Sequence, residues 1–200
     1  MSFARTIRLT LIVRTALMAL AVSACGDGSG PGSAEESPPN IVLIYIDDLG
    51  WNDLGVQGST YYETPNVDRL AAEGMRFTNA YANAPNCAPS RAALMSGQYA
   101  PRTGVYTVAS AARGDAANRR LVPVQNRQDL DLGVATLAES LQEAGYTTGH
   151  AGKWHLGGDG SLPTDHGFDW SVAGNAAGSP PGYFYPYERN GRQIPGLEEG

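Results

Sequence analysis

Apolar residues fall into short blocks separated by glycine, proline and aspartate, and the spacing within each block predicts an element. Ile41-Val42-Leu43-Ile44-Tyr45-Ile46 is a continuous apolar, β-branched run. It fits a strand buried on both faces, as in a parallel sheet covered by helices. Asp47 and Asp48 stand at its carboxyl end. Thr64-Pro65 opens a helix, with Thr64 as N-cap, Pro65 at the first helical position, Val67, Leu70 and Ala71 as the apolar stripe and Gly74 as the stop. Residues 75–81 look extended. A second helix starts near Cys87, has Pro89 in its first turn and ends at Gly97. A third follows the capping-box sequence Thr136-Leu137-Ala138-Glu139 and runs to Ala144, stopped by Gly145. Residues 146–153 then read as another strand.

Strand, helix, strand, helix, strand is the order of an α/β layered fold. Ligands in such sheets sit at the carboxyl ends of strands, where Asp47 and Asp48 fall. The stretch from Ala100 to Leu130 is polar and without a clear period. A loop of that length is functional or mobile.

The first 39 residues do not belong to this pattern. Arg5, Arg8 and Arg14 form a basic region, and residues 15–24 form an apolar segment too short to span a bilayer, which needs about 20 apolar residues. The sequence Val22-Ser23-Ala24-Cys25 resembles the lipobox of bacterial lipoproteins, which implies cleavage after Ala24 and lipidation of Cys25. The plainer alternative is an ordinary secretory leader. Either way the protein is exported, and the lipoprotein reading places it on a membrane facing the periplasm or the cell surface. Residues 25–39, rich in glycine, serine and proline, read as a flexible tether. The folded domain is expected over residues 40–200.

Composition changes little except at three points. Fourteen basic and twenty acidic residues give a formal charge of −6, which argues against a nucleic-acid partner. Two cysteines, Cys25 and Cys87, do not make a disulfide scaffold. Thirteen of the fourteen basic residues are arginine, so the one lysine, Lys153, stands where a compact ammonium is wanted rather than a planar guanidinium.

The candidate chemistry begins at Cys87. A helix N-terminus presents unpaired backbone N–H groups and the positive end of the dipole, and Arg91 adds a full charge one turn later. That setting suits a reactive thiolate or a tetrahedral oxyanion, and a buried structural cysteine remains the alternative. Asp47 and Asp48 are hard oxygen donors suited to Ca²⁺ or Mg²⁺, or else solvated aspartates at a strand end.

Cys87-Ala88-Pro89-Ser90-Arg91 resembles the C-x-P-S-R signature of the sulfatase family, members of the alkaline-phosphatase superfamily. Three other segments are similar to the family in order and spacing: Asn40 to Gly50 with its aspartate pair, Thr64 to Ala71, and Gly152-Lys153-Trp154-His155-Leu156-Gly157. The resemblance implies an α/β alkaline-phosphatase-like layered fold with a largely parallel central sheet flanked by helices, here incomplete. It implies sulfate-ester hydrolysis, on carbohydrate or aryl sulfates. It implies that a maturation enzyme oxidises Cys87 to formylglycine, with Pro89, Ser90 and Arg91 in the signature it reads. Asp47, Asp48 and the modified Cys87 then hold one divalent cation, Ca²⁺ before Mg²⁺. Arg91, Lys153 and His155 join Cys87 as catalytic residues: Lys153 contacts the nucleophile and a sulfate oxygen, and His155 serves proton transfer. His166-Gly167-Phe168-Asp169 matches a family segment given a structural role. The family's later Asp-Asn metal pair has no counterpart, so the chain is expected to be the front part of a longer enzyme and inactive alone. The rival readings are a phosphoryl-transfer relative and a catalytically silent surface lipoprotein. The aromatic run Gly182 to Tyr187 either packs its loop, the favoured reading, or stacks on a sugar ring.

Overall fold

The computed structural model describes residues 37–189 and 192–197. The leader, Cys25 and most of the tether therefore lie outside the described residues. No helix among the described residues is long and apolar enough to cross a membrane. The chain divides into two compact units, Met1–Tyr45 and Ile46–Gly200.

Of the first unit, residues 37–45 are described, and they are extended and exposed. The expected buried strand is not formed within that unit: residues 41–45 are extended without a ladder of their own, and Ile41 is 59% and Val42 83% exposed.

In the second unit the helices are α1 (Pro65–Glu73), α2 (Cys87–Ser96), α3 (Ala100–Thr103) and α4 (Leu137–Glu143). The strands are β1 (Gly149–Ala151), β2 (Trp170–Val172), β3 (Glu188–Arg189) and β4 (Arg192–Gln193). β1 pairs with β2 in parallel, Gly149 opposite Trp170, and β3 pairs with β4 antiparallel. The strand expected over 146–153 is thus present in shortened form. The extended stretch 75–81 joins no ladder, and the aperiodic segment 100–130 contains α3 and a 3₁₀ turn at Ala116–Asn118.

Local chemistry explains the helices that matched. α4 starts in a complete capping box, with Glu139 N donating to Thr136 Oγ1 at 3.2 Å and Thr136 N donating to Glu139 Oε2 at 2.7 Å. α2 ends at Gly97 in the left-handed conformation, its N–H donating to Ala93 O. α1 has the expected bounds, yet Thr64 does not cap it. The hydroxyl instead accepts from Gly55 N at 2.8 Å and donates to Asp68 Oδ1 at 3.1 Å, pinning the preceding loop onto the helix. Its apolar stripe is also exposed, since α1 has no buried residue.

The core gathers Ala88 and Ala92 of α2 with Val105, Leu130, Trp154 and Leu156, and Met95, Val108 and Phe168 pack against it. Buried polar groups close around it. Trp154 Nε1 donates to Ser161 O at 2.8 Å, Ser161 Oγ lies 3.0 Å from Leu156 O and 2.9 Å from His166 Nε2, and Thr136 Oγ1 donates to His166 O at 2.7 Å. His166 is fully buried in this network, in keeping with a structural role. The result is a rigid platform under α2 and the segment 152–157.

Candidate active site

Cys87 opens α2 as a free, partly exposed thiol, while Ala88, Pro89 and Ser90 behind it are buried. Asn86 supplies the extended residue before the helix, and its amide donates to Thr107 Oγ1 at 3.1 Å instead of capping. Burying the signature fixes the direction in which α2 presents its first residue.

Arg91, one turn on, reaches the segment 152–157. Its guanidinium donates to Lys153 O at 2.5 Å and stands 4.0 Å from Asp47 Oδ1. Lys153 Nζ donates to Asp47 Oδ2 at 2.5 Å. One carboxylate therefore sits between an ammonium and a guanidinium whose side chains are only 14% and 11% exposed. Asp47, Arg91 and Lys153 come from three separated segments, and the fold brings them together.

His155 adjoins this cluster. Burial pushes its pKa down, and Lys153 and Arg91 push it further, against an opposing pull from Asp47. The imidazole is neutral at pH 7 and can take or give a proton. Its Nδ1 is buried without a hydrogen-bond partner, and its backbone N–H donates to Asn175 O at 3.0 Å. Gly178 lies so close that a β-carbon there would stand 2.8 Å from Nε2. Sequence reasoning passed over Gly178, whose signal is only the absence of a side chain.

Backbone strain marks the same residues. Asp48 (φ 55°) and His155 (φ 60°) are two of the four non-glycine residues with positive φ among those described. Such conformations cost on the order of 1 kcal/mol each and persist where the surroundings over-determine them. A cleft of about 350 Å³ lies beside His155, with Ala88, Thr107, Arg127, Gln128 and Asp129 among its walls.

Among the described residues no three His, Cys, Asp or Glu side chains are grouped as a metal site. The two oxygens of Asp47 face Lys153 and Arg91. The aspartate pair still fits a hard divalent cation by donor chemistry. The aromatic run packs only in part: Tyr183 is 80% and Phe184 85% exposed, while Tyr187 is half-buried with its ring edge-on to Tyr185.

The sulfatase family model matches residues 39–190, which contain every one of these site residues. The chain belongs to the sulfatase family. It is 44% identical over 158 residues to N-acetylgalactosamine-6-sulfatase of Mus musculus, covering 78% of this chain and 28% of that protein. It is 46% identical over 140 residues to arylsulfatase A of Bos taurus, covering 68% and 25%. Among solved structures it is similar to Ps i-CgsB, with a TM-score of 0.58 and 32% identity over 82% of this chain and 38% of that one. The chain thus spans about three tenths of the length of the curated relatives it matches. The structural likeness shows the sulfatase α/β fold, of alkaline-phosphatase type, with β1 and β2 as a part of its parallel sheet.

Proposed function

We propose that the protein is an exported sulfuric-ester hydrolase acting on sulfated carbohydrates, with Cys87 as the precursor of a formylglycine nucleophile. The carrying observation is the convergence of Asp47, Arg91 and Lys153 next to His155, with Arg91 one turn into the helix that begins with Cys87. Carbohydrate substrates are favoured by the relatives: one is named for N-acetylgalactosamine 6-sulfate chemistry, and Ps i-CgsB is also described with k-i-k-neocarrahexaose.

Formylglycine supplies, when formed and hydrated, two hydroxyls on one carbon, and a divalent cation at Asp47 and Asp48, Ca²⁺ or Mg²⁺, supplies Lewis-acid polarisation. The chain's own residues do the remaining work. Lys153 and Arg91 place two positive charges where a sulfate group gathers negative charge, in a half-buried setting that strengthens them. Neutral His155 holds or moves a proton at the Cys87 position. Its strained backbone and the close approach of Gly178 restrict the ring's position. The leader and Cys25 extend the proposal to a lipid-anchored protein outside the cytoplasm, with residues 40–200 as part of the catalytic domain. Palmitate labelling that persists in Cys25→Ser would refute the anchor.

Mass spectrometry of the peptide containing Cys87, from a host with a formylglycine-generating enzyme, tests the central claim. Replacing the thiol by an aldehyde lowers the mass by roughly 18 Da. An unmodified thiol from that host would overturn the assignment.

A further inference from the structure

The chain carries −6 overall, yet residues 102–127 hold five arginines and a single aspartate, Asp115. That segment is locally +4, while the remainder has nine basic and nineteen acidic side chains, or −10. An acidic protein that concentrates arginine in one loop sets up a local positive field against its own background.

The segment is a folded loop with a closed base. Asn126 Oδ1 accepts from Tyr106 N at 2.7 Å and Thr107 N at 3.0 Å, and its amide donates to Thr107 O and Ala109 O. Arg127 N donates to Gly104 O at 2.9 Å. Inside the loop Arg119 donates to the carbonyls of Ala112, Arg113 and Gly114. Compact loops whose ends meet and whose interior is tied by their own side chains are frequently functional.

Among the described residues these bonds leave most of the charge uncompensated: of the five arginines, Arg127 alone faces carboxylates, those of Asp129 and Asp131. Arg102, Arg113, Arg119 and Arg120 have no acidic partner among the described residues, and all but Arg119 are exposed. Both ends of the loop line the cleft beside His155, through Thr107 and Ala109 on one side and Arg127 and Gln128 on the other. Thr107 also accepts from Asn86, the residue before Cys87. The basic loop is therefore continuous with the wall of the candidate active site.

We propose that this loop is a docking surface for additional sulfate groups of a polysulfated glycan, one of whose esters occupies the site at Cys87. The proposal rests on the sulfate-ester reading of that site. A nucleic acid fits less well: Tyr106 is the segment's one aromatic residue, leaving no platform for stacked bases. Planar guanidiniums match the oxygens of a sulfate group. Fixed sulfates along a sugar chain then bind by charge, with release of counterions.

The test compares the full chain, with Cys87 converted, against the double variant Arg102→Gln/Arg120→Gln. Neither side chain makes an ion pair among the described residues, so melting temperature should not change. Binding is titrated with a polysulfated oligosaccharide, its monosulfated counterpart and an oligonucleotide of equal charge, from about 50 to 200 mM salt. The expected result is about a fivefold weaker polysulfated complex and a shallower salt dependence in the variant. Monosulfated binding should be unchanged, and the oligonucleotide should bind weakly throughout. Equal affinity and salt slope for the polysulfated ligand in both proteins would overturn the proposal. So would oligonucleotide binding as tight as the polysulfated ligand with the same arginine dependence, which would make the loop a general polyanion patch. Failure of the underlying reading looks different: the monosulfated ligand then fails to bind either protein, whatever the arginines do.

Discussion

Replacing Asp47 by asparagine keeps the shape of the side chain and removes the charge that lies between Lys153 and Arg91. The lost interaction is one charge-assisted hydrogen bond at 2.5 Å and a second ion contact at 4.0 Å. A hydrogen bond to a charged group contributes about 1.5–3 kcal/mol. Asp47 is 38% exposed, so solvent screening trims that figure, whereas Lys153 and Arg91 are nearly covered and would be left facing each other. The net cost is about 2 kcal/mol, or a fall in melting temperature of about 4–8 °C for a domain of this size. The sharper assay is a double-mutant cycle with Lys153→Met, read by urea denaturation. Lys153→Met alone removes the closer of the carboxylate's two cation contacts. In the Asp47→Asn background the same change removes one of two repelling cations and should cost little or even stabilise. A coupling energy of about 1–2 kcal/mol is expected. Additivity within about 0.3 kcal/mol would refute the carboxylate's place between the two cations.

Burial lowers the pKa of all three histidines, His150, His155 and His166. Their unfolded value is near 6.5, so below it the unfolded chain binds more protons than the folded one. Stability should be full above pH 6.5 and fall as pH drops toward the lowered folded values; midpoints unchanged between pH 7 and 5 would contradict this. Thr136→Ala removes the α4 cap and leaves both Glu139 N and the buried His166 O without their partner. A loss of about 1–2 kcal/mol in urea denaturation is expected, and Thr136→Ser should recover most of it.

What could be read from the sequence was what depends on near neighbours. The capping box at Thr136, the start of α2 at Cys87 and its stop at Gly97 are set by residues within one turn, and each formed. Thr64 carries the same local signal, but its hydroxyl is taken by Gly55 N and Asp68, so a tertiary contact overrode the cap. The apolar run 41–46 states a demand for burial without stating which strands meet it. β2 escaped notice because three residues are too few for an alternating pattern to emerge. At the site, Asp47, Arg91, Lys153 and His155 were each named from the sequence, although the pairing of Asp47 with Lys153 was not. The sequence marks Asp47 as a donor for a cation, and in the structure the Lys153 ammonium takes one of its oxygens and the Arg91 guanidinium faces the other. The arginines of residues 102–127 were visible as letters, but a polar stretch without period conveys nothing of a loop closed by Asn126.

The burial of Ala88, Pro89 and Ser90 sets a timetable. On the proposed reading, a maturation enzyme that recognises Pro89, Ser90 and Arg91 beside Cys87 would find Pro89 and Ser90 covered once α2 rests on Leu130, Trp154 and Leu156. Arg91 and its partner Lys153 are 62 positions apart. A ribosome adding about 5–20 residues per second needs about 3–12 s to cover that distance. During those seconds the core that hides the signature does not yet exist, and the segment is a linear peptide open to modification. Any delay in closing the core, by slow codons or by a weakened Trp154 packing, would lengthen that interval and raise the fraction of Cys87 converted.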